Sequence, residues 1–209
     1  MLHHAELSPA KDRLGDILHL RPGRAHEFCG SARRVLAAFM IGQMGRAAPV
    51  IWLRLRWNAD RLCPTGLCHW ASPEGLVVVE AARESELLAC TEDCLRSGAV
   101  ALVVAELDHP PALTPLRRLH LAAAEGLARQ RAQGGSGNLR ALVLTPGQGG
   151  AAGVESRWHL APCPAATSSP ETPVPPAWVL KRLRARMAPP AAWAVGAELD
   201  CQPLQAAPV

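Results

Sequence analysis

The chain has 209 residues, of which 49% are hydrophobic and 19% are charged. This length suits one domain with a sizeable core, and the composition excludes a chain that is disordered throughout. The longest apolar runs, such as 99–105, are far shorter than the ~18 residues that a membrane span needs, so no integral membrane protein is expected. The first residues carry neither a basic segment nor an apolar one, so the sequence predicts a cytoplasmic protein without a secretory signal.

Charge and cysteine content narrow the classes of ligand. Twenty-two basic and eighteen acidic residues give a formal net charge of +4, which does not by itself indicate a polyanion partner. Twenty of the basic residues are Arg, a bias that a GC-rich genome also produces. The seven cysteines match no secreted disulfide framework, so reduced thiols are expected. Cys63, Cys68 and His69 have a hint of metal-ligand spacing, but no second pair at short spacing completes a zinc site, and no metal is predicted.

Strands and helices alternate over about 120 residues, after an N-terminal arm at 1–24 that is expected to be peripheral. Gly30 ends the first strand, and a Thr114 cap followed by Pro115 is expected to start the last helix. The region between the second and third strands is an irregular surface excursion. In chain order the predicted elements are a strand at 25–29, a helix at 33–44, strands at 49–55 and 75–81, a helix at 84–97, a strand at 99–107, a helix at 114–134 and a strand at 140–145.

The pattern changes after this point. A glycine loop at 146–153 leads to a strand at 155–161, and a Pro-rich linker at 162–176 without apolar periodicity follows it. Beyond the linker, residues 177–209 form a basic strand, a short strand containing Trp193 and a tail that need not be ordered, all within the same domain as the core at 25–161. The sequence therefore predicts an α/β fold with a mixed, mainly parallel sheet flanked by helices and a β-rich C-terminal edge.

The turn after the first strand is where α/β folds bind phosphates, because backbone N–H groups and a helix N-terminus converge there. A phosphate-binding P-loop needs two glycines followed by Lys and Ser or Thr. Here the turn has a single glycine, Gly30, and no Lys. Ser31 follows the glycine, and Arg33 and Arg34 stand at the start of the helix. Nucleotide hydrolysis and a nucleotide cofactor are therefore not expected, although the two arginines at the helix start could hold an anion or simply be solvated.

A nucleotide enzyme also needs a carboxylate at the end of a central strand, for the magnesium ion or its water. Glu106 stands at such a position, with Asp108 two residues later. Without the phosphate loop, Glu106 is interpreted either as a vestige of that site or as an ordinary strand-terminal acid. Neither a nucleophile elbow nor a family-specific setting for a catalytic Cys or His is found, so no catalytic residue is predicted.

Basic residues with interleaved aromatics follow the glycine loop. Phosphates pair with Arg and bases stack on Trp in single-stranded nucleic acid complexes, so these residues are candidates for DNA contact. The alternative is a solvated outer strand face with Trp158 in the core. The candidates are Arg157, Trp158, Lys181, Arg182, Arg184 and Arg186.

The order of elements over residues 24–196 resembles the core of the RecA recombinase family. The strand at 25–29 corresponds to the one that enters the P-loop, the strand ending at Glu106 to the second carboxylate strand, and the loop at 147–153 to that family's second DNA-binding loop. Within that family the sequence is most similar to the ImuA branch of P-loop-deficient relatives. The matching segments are His26-Glu27, Pro49-Val-Ile-Trp-Leu, Glu92-x-x-Leu-Arg-Ser-Gly98, 116–125 and Glu155-Ser-Arg-Trp-His-Leu-Ala-Pro.

This resemblance implies a RecA-like fold and a non-catalytic accessory role in damage-induced (SOS) mutagenic translesion synthesis. The implied partners are an ImuB-like relative of the Y-family polymerases and an error-prone replicative-type DNA polymerase, with RecA and single-stranded DNA as further candidates. Residues 178–209 are expected to contribute to the complex, and the location to be cytoplasmic and nucleoid-associated. Two alternatives stay open: a divergent nucleotide-dependent recombinase-like ATPase, and a cell-division inhibitor of the SulA type.

Overall fold

A computed structural model describes residues 12–45, 49–163 and 177–204. The described helices are α1 (Leu14–Ile17), α2 (Arg33–Met44), α3 (Pro64–Cys68), α4 (Glu84–Ser97) and α5 (Leu113–Ala132). The described strands are β1 (Asp12–Arg13), β2 (Ala25–Cys29), β3 (Val50–Leu55), β4 (Leu76–Ala81), β5 (Leu102–Glu106), β6 (Arg140–Leu144), β7 (Ser156–Pro162), β8 (Trp178–Ala185), β9 (Ala191–Val195) and β10 (Asp200–Pro203). They form one sheet in the order β1-β10-β9-β8-β7-β2-β6-β5-β3-β4.

The central strands run parallel from β7 through β2, β6, β5 and β3 to β4. All five residues of β2 and of β5 are buried, which is the pattern of strands covered on both faces by helices. Residues of α2 pack on one face of the sheet, and residues of α4 and α5 pack on the other. The predicted α/β fold with a mixed, mainly parallel sheet is confirmed.

The strands of the predicted β-rich C-terminal edge are antiparallel. Strands β7, β8, β9, β10 and β1 pair successively in this way. Two features at this edge go beyond the expectations. Part of the tail after β9 forms β10. The described part of the N-terminal arm, residues 12–24, is not peripheral, because β1 pairs with β10 through Asp12 and Cys201 and α1 buries Leu14 and Ile17 in the core. Residues 1–11, 205–209 and positions 164–176 of the predicted linker lie outside the described residues.

The basic C-terminal strand contributes to the core. Leu180 of β8 and both Trp193 and Val195 of β9 are buried in the cluster beneath α2. Removing residues 175–209 would therefore take three strands out of the sheet. Such a truncation cannot test a partner contact, since it would expose the core at the same time.

Two local expectations also differ from the structure. The last helix starts one residue before Thr114, with Ala112 at the cap position and no side-chain cap bond. The surface excursion between β3 and β4 contains α3, whose start is capped by the Cys63 sulfur, which accepts a hydrogen bond from the Gly66 N–H at 3.4 Å. Along the described ranges, no helix is long and apolar enough to cross a membrane.

Candidate functional site

The carboxyl ends of β2, β6 and β5 meet at one edge of the sheet. Phe28 pairs with Leu144, and Leu144 pairs with Glu106, so the ends of the three strands lie side by side. The turn from β2 into α2 begins at this same edge. In open α/β sheets this edge is where ligands bind, so both the predicted phosphate position and the strand-terminal acid are found at one candidate site.

The turn itself is closed against β7. Gly30 has a φ of +91°, a conformation that favours glycine. A Cβ at this position would lie 2.3 Å from the Leu160 carbonyl oxygen and 3.0 Å from the His159 ring. The backbone N–H of Ala32 donates to the same Leu160 oxygen at 3.0 Å. One of the amides that would face an anion in a phosphate loop is therefore already bonded within the protein.

Glu106 is held by the helix that follows the turn. Arg34 Nε donates to Glu106 Oε1 at 2.6 Å, and Arg33 brings a guanidinium nitrogen to 3.8 Å from the same oxygen. Trp52 Nε1 donates to the other oxygen at 3.2 Å. The Glu106 side chain is only 3% exposed, and a buried carboxylate needs such partners to stay charged. Arg34 and Glu106 thus satisfy one another, whereas Arg33 lies beyond hydrogen-bond distance of the acid and its Nε has no hydrogen-bond partner.

This pairing is what sequence reasoning missed. The sequence leaves the two arginines as anion ligands or solvated residues, but both face an acid that is 72 residues away from Arg34. Two residues after Glu106, Asp108 Oδ1 accepts a long hydrogen bond of 3.4 Å from the Asn58 amide. The other oxygen, Oδ2, is buried without a hydrogen-bond partner. Ser31 is exposed.

A second buried acid, Glu27, organises the glycine loop. It is completely buried. Its carboxylate accepts hydrogen bonds from the Thr145 hydroxyl at 2.6 Å, from the Gly150 amide at 2.9 Å and from the Ala151 amide at 3.1 Å. Arg157 Nε donates to it at 2.5 Å. Glu27 therefore fixes the glycine loop to the end of β2. In the sequence, the signal for this role is the position of Glu27, a charged residue in the middle of a buried strand.

The DNA-contact candidates are distributed over different surroundings. Arg157 is engaged with Glu27 and has a side chain that is 18% exposed. Trp158 is 1% exposed and packs against Trp193, so the alternative of core burial describes its position. Arg182 lies over both tryptophan rings, 5.6 and 5.3 Å from their centroids.

The remaining candidates, Lys181, Arg184 and Arg186, are exposed. In the register of β8 against β7, Lys181 lies opposite His159, and Arg184 lies opposite Arg157. Arg186 lies just beyond β8, near Glu155. The structure thus brings Arg182 onto the tryptophans but does not gather all the candidates into one patch. A contact with DNA through Lys181, Arg182, Arg184 and Arg186 stays a prediction.

A buried histidine, a half-buried histidine and a buried thiol lie near these elements. His26 Nδ1 is 2.7 Å from the Ser156 hydroxyl, and burial lowers the pKa of His26 from 6.5 to about 4, so this ring is neutral at pH 7. Burial also lowers the pKa of His120, whose Nδ1 accepts from the Ala25 N–H. Burial raises the pKa of Cys29 to about 12, which leaves no reactive thiolate at the end of β2.

Among the described residues, no three His, Cys, Asp or Glu side chains form a group that could hold a metal ion. Cys63 and Cys68 are exposed free thiols at the two ends of α3, and His69 Nδ1 contacts the Thr65 carbonyl oxygen at 3.0 Å.

Comparison with known proteins bears on this site and fold. No family model matches the chain. Protein ImuA of Caulobacter vibrioides, in two strains, is 33% identical to it over 160 residues. The chain is a relative of ImuA. The match covers 73% of this chain and 62% of each Caulobacter protein. The chain therefore spans less than two thirds of the length of these relatives. The resemblance that the sequence segments predicted is thereby confirmed.

Solved structures show the fold of this ImuA relative. The crystal structure of the RadB recombinase aligns with a TM-score of 0.56 at 14% identity, covering 85% of this chain and 90% of its own. The predicted RecA-like α/β core is confirmed by this likeness. The crystal structure of SulA from Pseudomonas aeruginosa covers 59% of this chain and 98% of its own, with a TM-score of 0.44 and 17% identity.

Proposed function

We propose that the chain is a non-catalytic, RecA-like accessory protein in damage-induced mutagenic translesion DNA synthesis. It acts by contact with an ImuB-like relative of the Y-family polymerases and with an error-prone replicative-type polymerase, in the cytoplasm at the nucleoid. The identity with Protein ImuA supports this role. Contact with single-stranded DNA, and with RecA bound to it, belongs to the same proposal.

The observation that carries the non-catalytic part is the pairing of Arg34 with Glu106 at 2.6 Å. Nucleotide hydrolysis needs a carboxylate that is free to hold magnesium or its water, and amides that are free to hold phosphate oxygens. Here two guanidinium groups face the carboxylate, and the Ala32 amide is bonded to Leu160. This geometry favours an accessory protein over the divergent ATPase.

Complex formation is the test of this function. The full-length chain with an affinity tag is purified from cells before and after DNA damage, together with the ImuB-like protein and the error-prone polymerase. We expect both partners to be retained after damage, at near-stoichiometric amounts for the ImuB-like protein. A Val78→Asp variant on the edge strand β4 and a Lys181→Glu variant on strand β8 then compare the parallel and the antiparallel parts of the sheet, because both residues are exposed. Failure of the wild-type chain to retain either partner would contradict the proposal.

A further inference from the structure

Three segments meet at the amino ends of β2 and β7. These are the connection from α1 to β2, the start of β7, and the turn after β8, because Ala185 at the end of β8 pairs with Ser156 at the start of β7. They enclose a hollow of about 200 Å³. This edge lies opposite the one that carries Glu106.

Positive charge accumulates at this hollow, where Arg21 and Arg186 are part of the lining and Arg24 lies beside the lining residue Glu155. Glu155 is buried, with a side chain that is 9% exposed, and three arginines face its carboxylate: Arg21 at 3.6 Å, Arg24 at 3.9 Å and Arg186 at 4.0 Å. Three positive charges thus surround one negative charge. All three distances exceed an ordinary N–H···O hydrogen bond, and the side chains of Arg21 and Arg186 are 60% and 70% exposed. Their N–H groups therefore remain available to an anion.

Apolar side chains make up much of the lining of the hollow, which also includes the charged Glu155 and Arg182. Ile17, Trp158, Ala185 and Met187 are among its lining residues, and Met187 is 88% exposed at the mouth. The lining also includes His26, whose ring is satisfied by Ser156 and by the Arg21 carbonyl oxygen. Arg182 adds a further charge above the Trp158 ring. In a single-stranded nucleic acid, the arginines could bind the phosphates while the apolar lining of the hollow contacts the flat base.

We propose that this hollow binds a nucleotide of a single-stranded nucleic acid, with phosphates on Arg21, Arg24 and Arg186 and the base against the apolar side chains of the lining. A single strand is required because a paired base cannot leave its stack to enter a pocket without cost. The inference rests on the DNA contact in the proposed function and gives it a site. It adds Arg21 and Arg24 to the candidates.

Fluorescence anisotropy with a labelled 15-nucleotide oligo(dT) at 50 mM salt tests the site. The double variant Arg21→Ala/Arg186→Ala removes two rim charges. Its matched control is Arg56→Ala/Arg61→Ala, two exposed arginines beyond the carboxyl end of β3, at the opposite edge of the sheet. We expect the site variant to bind at least tenfold more weakly, with a salt slope shallower by about 1.4, since each phosphate contact contributes about 0.7 on a single strand. The control variant is expected to keep the wild-type slope.

Glu155→Gln provides a readout in the opposite direction. It removes the negative charge between the arginines while preserving the shape of the side chain, so we expect tighter binding and a steeper salt slope. An abasic oligonucleotide of equal length and charge tests the pocket, and we expect it to bind more weakly than oligo(dT).

Equal losses in the site and control variants would overturn the inference, as would unchanged or weaker binding by Glu155→Gln, or equal affinity for the abasic strand. If the wild-type chain does not bind oligo(dT) at all, the site and the DNA contact both fail. The accessory role is then decided separately by the co-purification of the partners.

Discussion

The ion pair at the end of β5 is a single-residue feature on which the local structure depends. Glu106 is 3% exposed, and Arg34 makes the shortest contact with it. A carboxylate left in such a place without its main partner loses a charge-assisted hydrogen bond and stays desolvated. Stability should therefore depend strongly on Arg34.

We expect Arg34→Ala to lower the free energy of unfolding by about 1–3 kcal/mol, because Arg33 and Trp52 still compensate part of the buried charge. Urea denaturation of purified protein measures it. The exposed Arg56→Ala variant is the control and should stay within about 0.5 kcal/mol of the wild type.

A double variant identifies the cause of this loss. Adding Glu106→Gln to Arg34→Ala should recover part of the stability, because the unpaired charge is then removed. Independent, additive losses from the two substitutions would mean that the residues do not interact.

His26 makes stability depend on pH. Its pKa falls from 6.5 to about 4 on folding because the ring is buried, so between these values the unfolded chain binds more protons than the folded one. Stability is then full above pH 6.5 and decreases as the pH falls toward 4, by at most about 3 kcal/mol. Burial also lowers the pKa values of His120 and His159, so they add to the same trend.

Urea denaturation at pH 7.0, 5.5 and 4.5 measures this dependence. His26→Gln should flatten the curve, whereas substitution of the exposed His69 should leave the slope as it is. If the His26 variant retains the full wild-type slope, the neutral buried ring is not the cause.

At the scale of elements, Glu27 connects β2 to the glycine loop and to β7. Glu27→Gln weakens four interactions at once, so we expect amide hydrogen exchange to become faster at Gly150 and Ala151, whose N–H groups bond to this carboxylate. Amides in the middle of β5 should keep their protection. Glu86→Gln, at an exposed carboxylate on α4, is the control. Unchanged exchange at both loop amides would show that the loop is held by other contacts.

The same scale shows what the sequence could predict. Strands such as β5 were predictable because their side chains are apolar on both faces of the strand, and such a strand needs helices on both faces of the sheet. The pairing of β1 with β10 was not, since two-residue and four-residue strands carry no periodicity and their partners lie at opposite ends of the chain. In the candidate site, Gly30 and Glu106 could be assigned to one edge from the parallel order of the strands. Only the fold itself shows that the arginines of α2 turn toward Glu106.

Across the whole molecule, the two edges of the sheet differ in character. The carboxyl edge is closed by internal pairs, with Arg34 bound to Glu106 and Arg157 bound to Glu27. The amino edge instead presents Arg21 and Arg186 largely exposed around one buried acid. This distribution favours a protein that works through surface contacts rather than through nucleotide turnover.

Nucleotide binding is the most direct test of that distinction. The thermal unfolding midpoint of the full-length chain is measured with and without millimolar Mg-ATP, beside a recombinase with an intact P-loop as positive control. We predict no change in the midpoint for this chain. Stabilisation by about 2.7 kcal/mol, which a ligand at 100 times its Kd produces, would raise the midpoint by several degrees and would contradict a closed, non-catalytic carboxyl edge.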